Sequence, residues 1–388
     1  MTGRLMLFSA VDEVLTGYAV DVDAATLTRQ STVTLPAKVQ YAWPHPSGRT
    51  LYVSTSNGGP RVKSDVNHVS ALGIEDDGTL RRLEEPVVLA KRAVHMCVDA
   101  AGRHTLNAHN YLKGGMTVHR IQPDRSVGTE VVQDSKLDFG IYPHQVMVFP
   151  SGRTVLIADR GNNAQAGKLE DPGALRTFHF NNGVMSAGQV VAPNGGYGFG
   201  PRHVAFHPSS PWLYVADERT NRLSMFNFQD DLLQAEPAYV CEILKSPHEV
   251  KPRQLAGGIC VSPNGRFLYV ANRSDYTVDL NGSAVFGGGE NNIAVFAIDP
   301  ATGEPRLIQH AETQSFHVRV FACDPSGRLL VTASIKALCV DVEGRVQAVP
   351  AALSVFRVGD DGLLEFMRKY DVETPGGQLQ YWVGMVGH

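Results

Sequence analysis

Short runs in which apolar and polar residues alternate fill this chain from end to end, each closed by a cluster of Gly, Pro, Asn, Asp or Ser. Few stretches carry a helical period. Alternation with a period of two is the pattern of strands that bury one face. One phrase returns six times: HPSGRTLYVST from His45, DAAGRHTLNAH from Asp99, FPSGRTVLIAD from Phe149, HPSSPWLYVAD from His207, SPNGRFLYVAN from Ser262 and DPSGRLLVTAS from Asp324. The turn residues supply the backbone geometry of a tight reversal, and the β-branched and aromatic alternation after them predicts a strand. A second hairpin follows downstream, as in NHVSALGIEDDGTLRRL from Asn67, NRLSMFNFQDDLL from Asn221 and NNIAVFAIDPATGEPRLI from Asn291. Each unit thus supplies a four-stranded meander, repeated every 50 to 60 residues or so.

The two ends complete each other. The N-terminal RLMLFSAVDEVLTGYAVDVDAATLTRQ has the second to fourth strands of a unit without its first, and the C-terminal QLQYWVGMVG supplies a first strand with nothing after it. Pairing them closes a ring and hides the sheet edges that an open array would expose. The pattern predicts an all-β protein, a single seven-bladed β-propeller domain over residues 1–388 with four antiparallel strands to a blade.

Composition narrows the class. With 43% hydrophobic and 19% charged residues and a net charge of −4, the chain is neither a disordered polymer nor a general nucleic-acid binder. The N-terminal MTGRLMLFSAVDEVL lacks a basic segment followed by a long apolar one, and no stretch reaches the length of a membrane span. A cytoplasmic protein with no membrane partner is expected. The five cysteines, Cys97, Cys241, Cys260, Cys323 and Cys339, are odd in number and form no close pair, which argues against a disulfide framework or a thiolate zinc site. Neither Gly-rich loop has the spacing of a phosphate cradle, so no nucleotide cofactor is expected. Nothing in the pattern sets an oligomeric state.

Candidate chemistry follows from the fold. The start of a blade's first strand and the end of its second lie on the same face of the disc. First-strand starts offer His95, His144, Arg202 with His203, and His317 with Arg319; second-strand ends offer Asn57, Asn110, Arg160, Glu218, Arg273 and Lys336. A mouth this rich in arginine, on a slightly acidic protein, points to a small anionic substrate bearing carboxylate or phosphate. By contrast Arg49, Arg103, Arg153, Arg266 and Arg328 recur at the turns of the opposite face as scaffolding, and His45 and His207 are expected to cap those turns.

The stretches GPRHVAFHP…LYVADE, YPHQV, SPNGRFLYVANR and YWVGMVGH resemble the lactonase family of seven-bladed propellers, which includes cytoplasmic 6-phosphogluconolactonases and 3-carboxy-cis,cis-muconate cyclases. The resemblance implies a catalytic set of His144, Arg202, Glu218 and Arg273, working without a metal on a lactone or muconate. His203, Arg319, His317, Asn110, Arg160 and Lys336 are the expected substrate-binding residues. Opening a lactone needs a base for water, a cation beside the developing oxyanion and a proton donor for the leaving alkoxide. His144 suits the base, Arg202 or Arg273 the oxyanion, and Glu218 is expected to orient His144 or shuttle the proton. The same set, run in reverse, would make a lactone from a muconate.

Other readings remain open at this level. Arg202 and Glu218 form a structural salt bridge in one of them, and His144 is a satisfied structural histidine in another. A calcium-dependent lactonase would recruit Asn57, Asn110, Asp217 and Glu218, although the arginines would repel the ion. A noncatalytic propeller would bind partners instead. Two loops interrupt the pattern on the site face, GNNAQAGKLEDPGAL after Arg160 and TVDLNGSAVFGGGENN after Arg273, and the second is expected to be a lid or a wall of the site.

Overall fold

The computed structural model describes residues 4–59, 62–110 and 114–387. Seven sheets of at least four antiparallel strands are arranged around an axis. Their innermost strands are Val39–Pro44, Ala93–Val98, Pro143–Val148, Pro201–Phe206, Leu255–Val261, Val318–Cys323 and Gln380–Gly387. Blades 1 to 7 are numbered by these strands. Each inner strand contacts the next, and the last contacts the first, so the ring is closed. Blade 7 is built from both termini: Leu5–Val11 pairs antiparallel with Gln380–Gly387, with Met6 opposite Val386 and Ala10 opposite Trp382. The Gln380 amide donates to Ser9 Oγ at 2.8 Å across this seam.

The repeated phrase also explains how blades attach to one another. Its tyrosine buries the ring between sheets and sends the hydroxyl to a turn carbonyl of the next blade: Tyr52 to Arg125 O at 2.9 Å, Tyr214 to Gly303 O at 2.8 Å and Tyr269 to Gly362 O at 3.2 Å. His45 and His207 act as expected on the far face. Their Nδ1 atoms accept from the following backbone, while Nε2 meets the next blade's turn carbonyl, Gly102 O at 3.1 Å and Gly265 O at 2.9 Å. Those turn positions require glycine. Gly265 has φ +72, and a Cβ there would lie 2.5 Å from His207 Nε2.

Burial falls from the axis outward. Every residue of Thr50–Ser56 in blade 1 is buried, whereas the outer strand Thr26–Thr34 of blade 7 has mostly exposed or partly exposed positions. The five cysteines are free thiols. Between the second and third strands of blades 5 and 6, at the site face, two extra hairpins are inserted, Thr277–Leu280 with Ser283–Phe286 and Leu338–Val342 with Arg345–Val349. They pack against each other.

One irregularity is common to all seven blades. The pairing of inner and second strands slips by a residue near the site face. In blade 3, Pro143 faces Asp159 and Gln145 faces Ala158, leaving His144 bulged between them. The same slip bulges Arg202 in blade 4, Arg319 in blade 6, Tyr381 in blade 7, Gln40 in blade 1 and Val94 in blade 2, and in blade 5 it falls at Gly257 and Gly258. A bulge re-aims the side chain it carries.

Candidate active site

The bulged side chains and the second-strand ends surround a cavity of about 720 Å³ at the mouth of the channel. Of the sequence candidates, His144, Arg160, Arg202, Glu218, Arg273, His317, Arg319 and Lys336 line it. His203 and Asn110 do not line it. His203 lies deeper, its ring 5.2 Å from that of His144 and 5.6 Å from that of His95, with Tyr41 edge-on. Asn110 Oδ1 accepts from Arg92 Nη1 at 3.2 Å and so supports a lining residue from behind. Asn57 faces a loop carboxylate, Asp65, at 2.6 Å.

Glu218 is the hub. Its carboxylate meets Arg160 Nη1 at 2.6 Å and Arg202 Nε at 3.1 Å, and Arg273 Nη2 closes on the same oxygen as Arg202. Burial alone would raise this carboxyl, but the three guanidiniums outweigh it and bring its pKa down to about 2. The bridge between Arg202 and Glu218 is therefore present, as part of a larger cluster. Among the described residues, the hydrogen bonds and ion pairs of Glu218 go to the arginines and none goes to His144.

Each arginine is braced a second time. Arg202 Nη1 donates to Gly257 O at 3.0 Å, Arg273 Nε to Ala256 O at 3.3 Å, and the Arg160 guanidinium lies 4.2 Å from the centre of the Tyr142 ring. Arg273 Nη1 also donates to His317 Nε2 at 2.7 Å, which fixes the proton of that ring on Nδ1. A second carboxylate, Asp275, takes Arg253 in a two-pronged pair at 2.6 and 2.9 Å and Lys336 at 3.1 Å. His317 sits at φ +57, a left-handed conformation held by its N–H to Asn291 Oδ1 at 2.7 Å.

His144 is electrically different. Burial first, then Arg202, His203, Arg319 and Arg160, hold its imidazole well below the ordinary histidine value. Its Nδ1 has no partner among the described residues. The ring is therefore neutral at physiological pH, the protonation state a base requires.

Sequence reasoning missed Arg92, Tyr142, Arg219, Arg253, Asp275 and Tyr381, all of which line the cavity. Asp275 stands two residues beyond Arg273 at the end of a second strand, and spacing alone was signal enough to find it. Tyr381 lies inside YWVGMVGH, and only the bulge turns it inward. The loop after Arg160 contributes Asn163 to the lining, while the hairpin after Thr277 contributes none of its residues. That hairpin's stem braces the site indirectly, through Gln254 Nε2 donating to Glu290 O at 3.2 Å.

Comparison with known proteins bears on fold and family. A family model described as Lactonase, 7-bladed beta-propeller, matches residues 9–348. A 6-phosphogluconolactonase of Bacillus subtilis is 27% identical over 322 residues, 79% of this chain and 85% of its own. A 6-phosphogluconolactonase of an Enterobacter species is 26% identical over 366 residues, 94% of this chain and 93% of its own. Among solved structures, the periplasmic gluconolactonase of Pseudomonas aeruginosa superposes with a TM-score of 0.70 at 19% identity, covering 99% of both chains. A protein from Lactobacillus plantarum gives 0.72 at 20% identity and covers the whole of both. At such identities the two structures speak for the fold alone.

Proposed function

The chain belongs to the seven-bladed β-propeller lactonase family, and on that premise we propose that it is a metal-independent lactonase, one propeller domain over residues 1–388, acting on an anionic, sugar-type lactone. The observation that carries this reading is a neutral His144 beside arginines clamped by Glu218, in a cavity where eight cations outnumber two carboxylates. A surplus of positive charge draws an anionic substrate and repels a divalent metal ion.

In the proposed reaction the His144 imidazole removes a proton from water as the water attacks the lactone carbonyl. The carbonyl oxygen becomes an oxyanion against Arg202 and Arg273, whose positions Glu218 fixes in advance. Preorganised donors of this kind typically lower the barrier by about 3 to 4 kcal/mol each. When the ring C–O bond breaks, the proton held by His144 returns to the leaving alkoxide, and the product is the open hydroxy acid. Glu218, ionised and engaged on both oxygens, is a fixed counter-charge in this scheme and carries no proton. The five free thiols fit a reducing compartment, and we infer a cytoplasmic location.

The test is proton release at constant pH from 6-phosphogluconolactone, gluconolactone and 3-carboxymuconolactone, corrected for spontaneous hydrolysis. Turnover of an anionic lactone, lost in a folded His144→Ala variant, supports the reading. Absence of turnover with all three, or undiminished turnover in the variant, overturns it.

A further inference from the structure

Away from the channel mouth, two thiols far apart in the chain meet at the other end of the inner strands. Cys260 lies near the end of Leu255–Val261 in blade 5 and Cys323 closes Val318–Cys323 in blade 6, each just ahead of a far-face turn. Three observations aim the two sulfurs at one another. Cys260 stands opposite Tyr269 and Cys323 opposite Leu330, and cross-strand partners share a face; Tyr269 and Leu330 both belong to the apolar cluster between blades 5 and 6, against which both cysteines pack. A Cβ at Gly258 would lie 3.7 Å from Arg319 O and 3.6 Å from the Phe321 ring, so two residues further along strands that run the same way Cys260 comes level with Cys323. The Cys323 thiol donates to the Cys260 sulfur, and Cys260 Sγ in turn donates to the Val261 carbonyl at 3.3 Å.

The two thiols are unequal. The hydrogen bond from Cys323 holds the Cys260 thiol below its ordinary value in spite of burial, and the same bond, together with burial, raises Cys323 well above it. Burial raises Cys97 and Cys241 as well. A thiol that ionises readily beside one that keeps its proton is the division of labour between an attacking and a resolving cysteine. Both residues are partly exposed, whereas Cys97 is buried.

We infer that Cys260 and Cys323 form a peroxide-responsive dithiol, oxidised to a disulfide that staples blade 5 to blade 6. The Cys260 thiolate attacks one oxygen of hydrogen peroxide, the O–O bond breaks, hydroxide leaves and Cys260 becomes a sulfenic acid. The Cys323 sulfur then attacks the Cys260 sulfur; the S–O bond breaks, the hydroxyl departs with the Cys323 proton as water, and the S–S bond forms. Two thiols lose two electrons, and the peroxide is reduced to water. A thiol reductant reverses the change. At the site end of the same interface Arg273 of blade 5 donates to His317 of blade 6, so the disulfide fixes the far end of a contact whose near end builds the cavity. The pair does not depend on the lactonase reading.

The whole protein, treated with a slight excess of hydrogen peroxide, is alkylated, digested with trypsin and analysed by mass spectrometry. Peptides 254–266 and 320–328, which carry Cys260 and Cys323, are expected as one linked species that dithiothreitol separates, while Cys97, Cys241 and Cys339 remain open to alkylation after unfolding. In Cys323→Ser the reaction should stop at a Cys260 sulfenic acid, captured by dimedone. In Cys260→Ser the oxidation of Cys323 should slow about tenfold or more. Absence of the linked species, a disulfide joining either residue to a different cysteine, or undiminished oxidation of Cys323 in folded Cys260→Ser overturns the proposal. If a variant does not fold, the linked peptides of the unsubstituted protein decide.

Discussion

At the scale of residues, Glu218 is the group on which the site depends. A carboxylate buried among three guanidiniums is stabilising only while all are charged, since removing one partner leaves charge uncompensated in a dry environment. Glu218→Gln is expected to destabilise the fold by about 3 to 5 kcal/mol at neutral pH, measured by denaturant unfolding. The same carboxyl fixes a pH dependence. Its ordinary value is 4.5 and its folded value about 2, so the stability it lends is complete above the first and is lost as pH falls toward the second. The stability gap between the native protein and Glu218→Gln should accordingly close over that acid range. His144 is also shifted downward, but here the shift favours the neutral form. Because burial and Arg202 lower its imidazole, the acid limb of kcat/KM is expected below pH 6.5, and a limb above that value would remove His144 from the role of base. His144→Ala should lower kcat about a hundredfold or more with little change in melting temperature.

At the scale of elements, the blades are joined by a few recurrent side chains whose chemistry is independent of the site. The far-face turn carbonyl of one blade is read by a histidine of the blade before, and the glycine of that turn leaves room for the ring. Gly265→Ala would force a side chain into a left-handed backbone and against His207. A loss of about 1 to 3 kcal/mol in stability is expected, with lactone turnover per folded molecule unchanged. Unequal effects of the reverse kind, with turnover lost and stability kept, would show that the far face communicates with the channel mouth. The bulges near the site face do different work. They put Arg202 and His203, successive residues, both inside the ring, where simple alternation would send one of them outward.

At the scale of the whole molecule, closure and charge are the two properties that no single blade possesses. The strand Gln380–Gly387 completes blade 7 and also carries Tyr381 into the cavity. A chain ended after Glu373 should leave Leu5–Val11 with an unpaired edge and accumulate as insoluble protein, seen by comparing soluble and pelleted fractions. Charge separates by location. The chain carries a net −4, yet its cavity is strongly positive. Raising ionic strength should therefore raise KM for an anionic lactone and leave that for a neutral one nearly constant, since screening acts on the encounter of opposite charges.

The repeated phrase, its turn residues and the two complementary ends were sufficient to specify seven blades and their closure, because strand period and turn chemistry are local properties of the chain. The same spacing placed His144, Arg160, Arg202, Glu218, Arg273, His317, Arg319 and Lys336 on one face. What the alternation could not convey is direction and partnership. The bulges that turn Arg202, Arg319 and Tyr381 inward arise from how two strands pair, and Arg92 enters the cavity from a loop whose path depends on Gln40 in the neighbouring blade. Likewise the sequence gives no sign that Glu218 would bind three arginines and leave His144 alone, or that His203 would sit beneath the cavity. These outcomes depend on distances between groups far apart in the chain, on the water excluded around them and on the sum of the charges brought together, all of which exist only after the ring has closed.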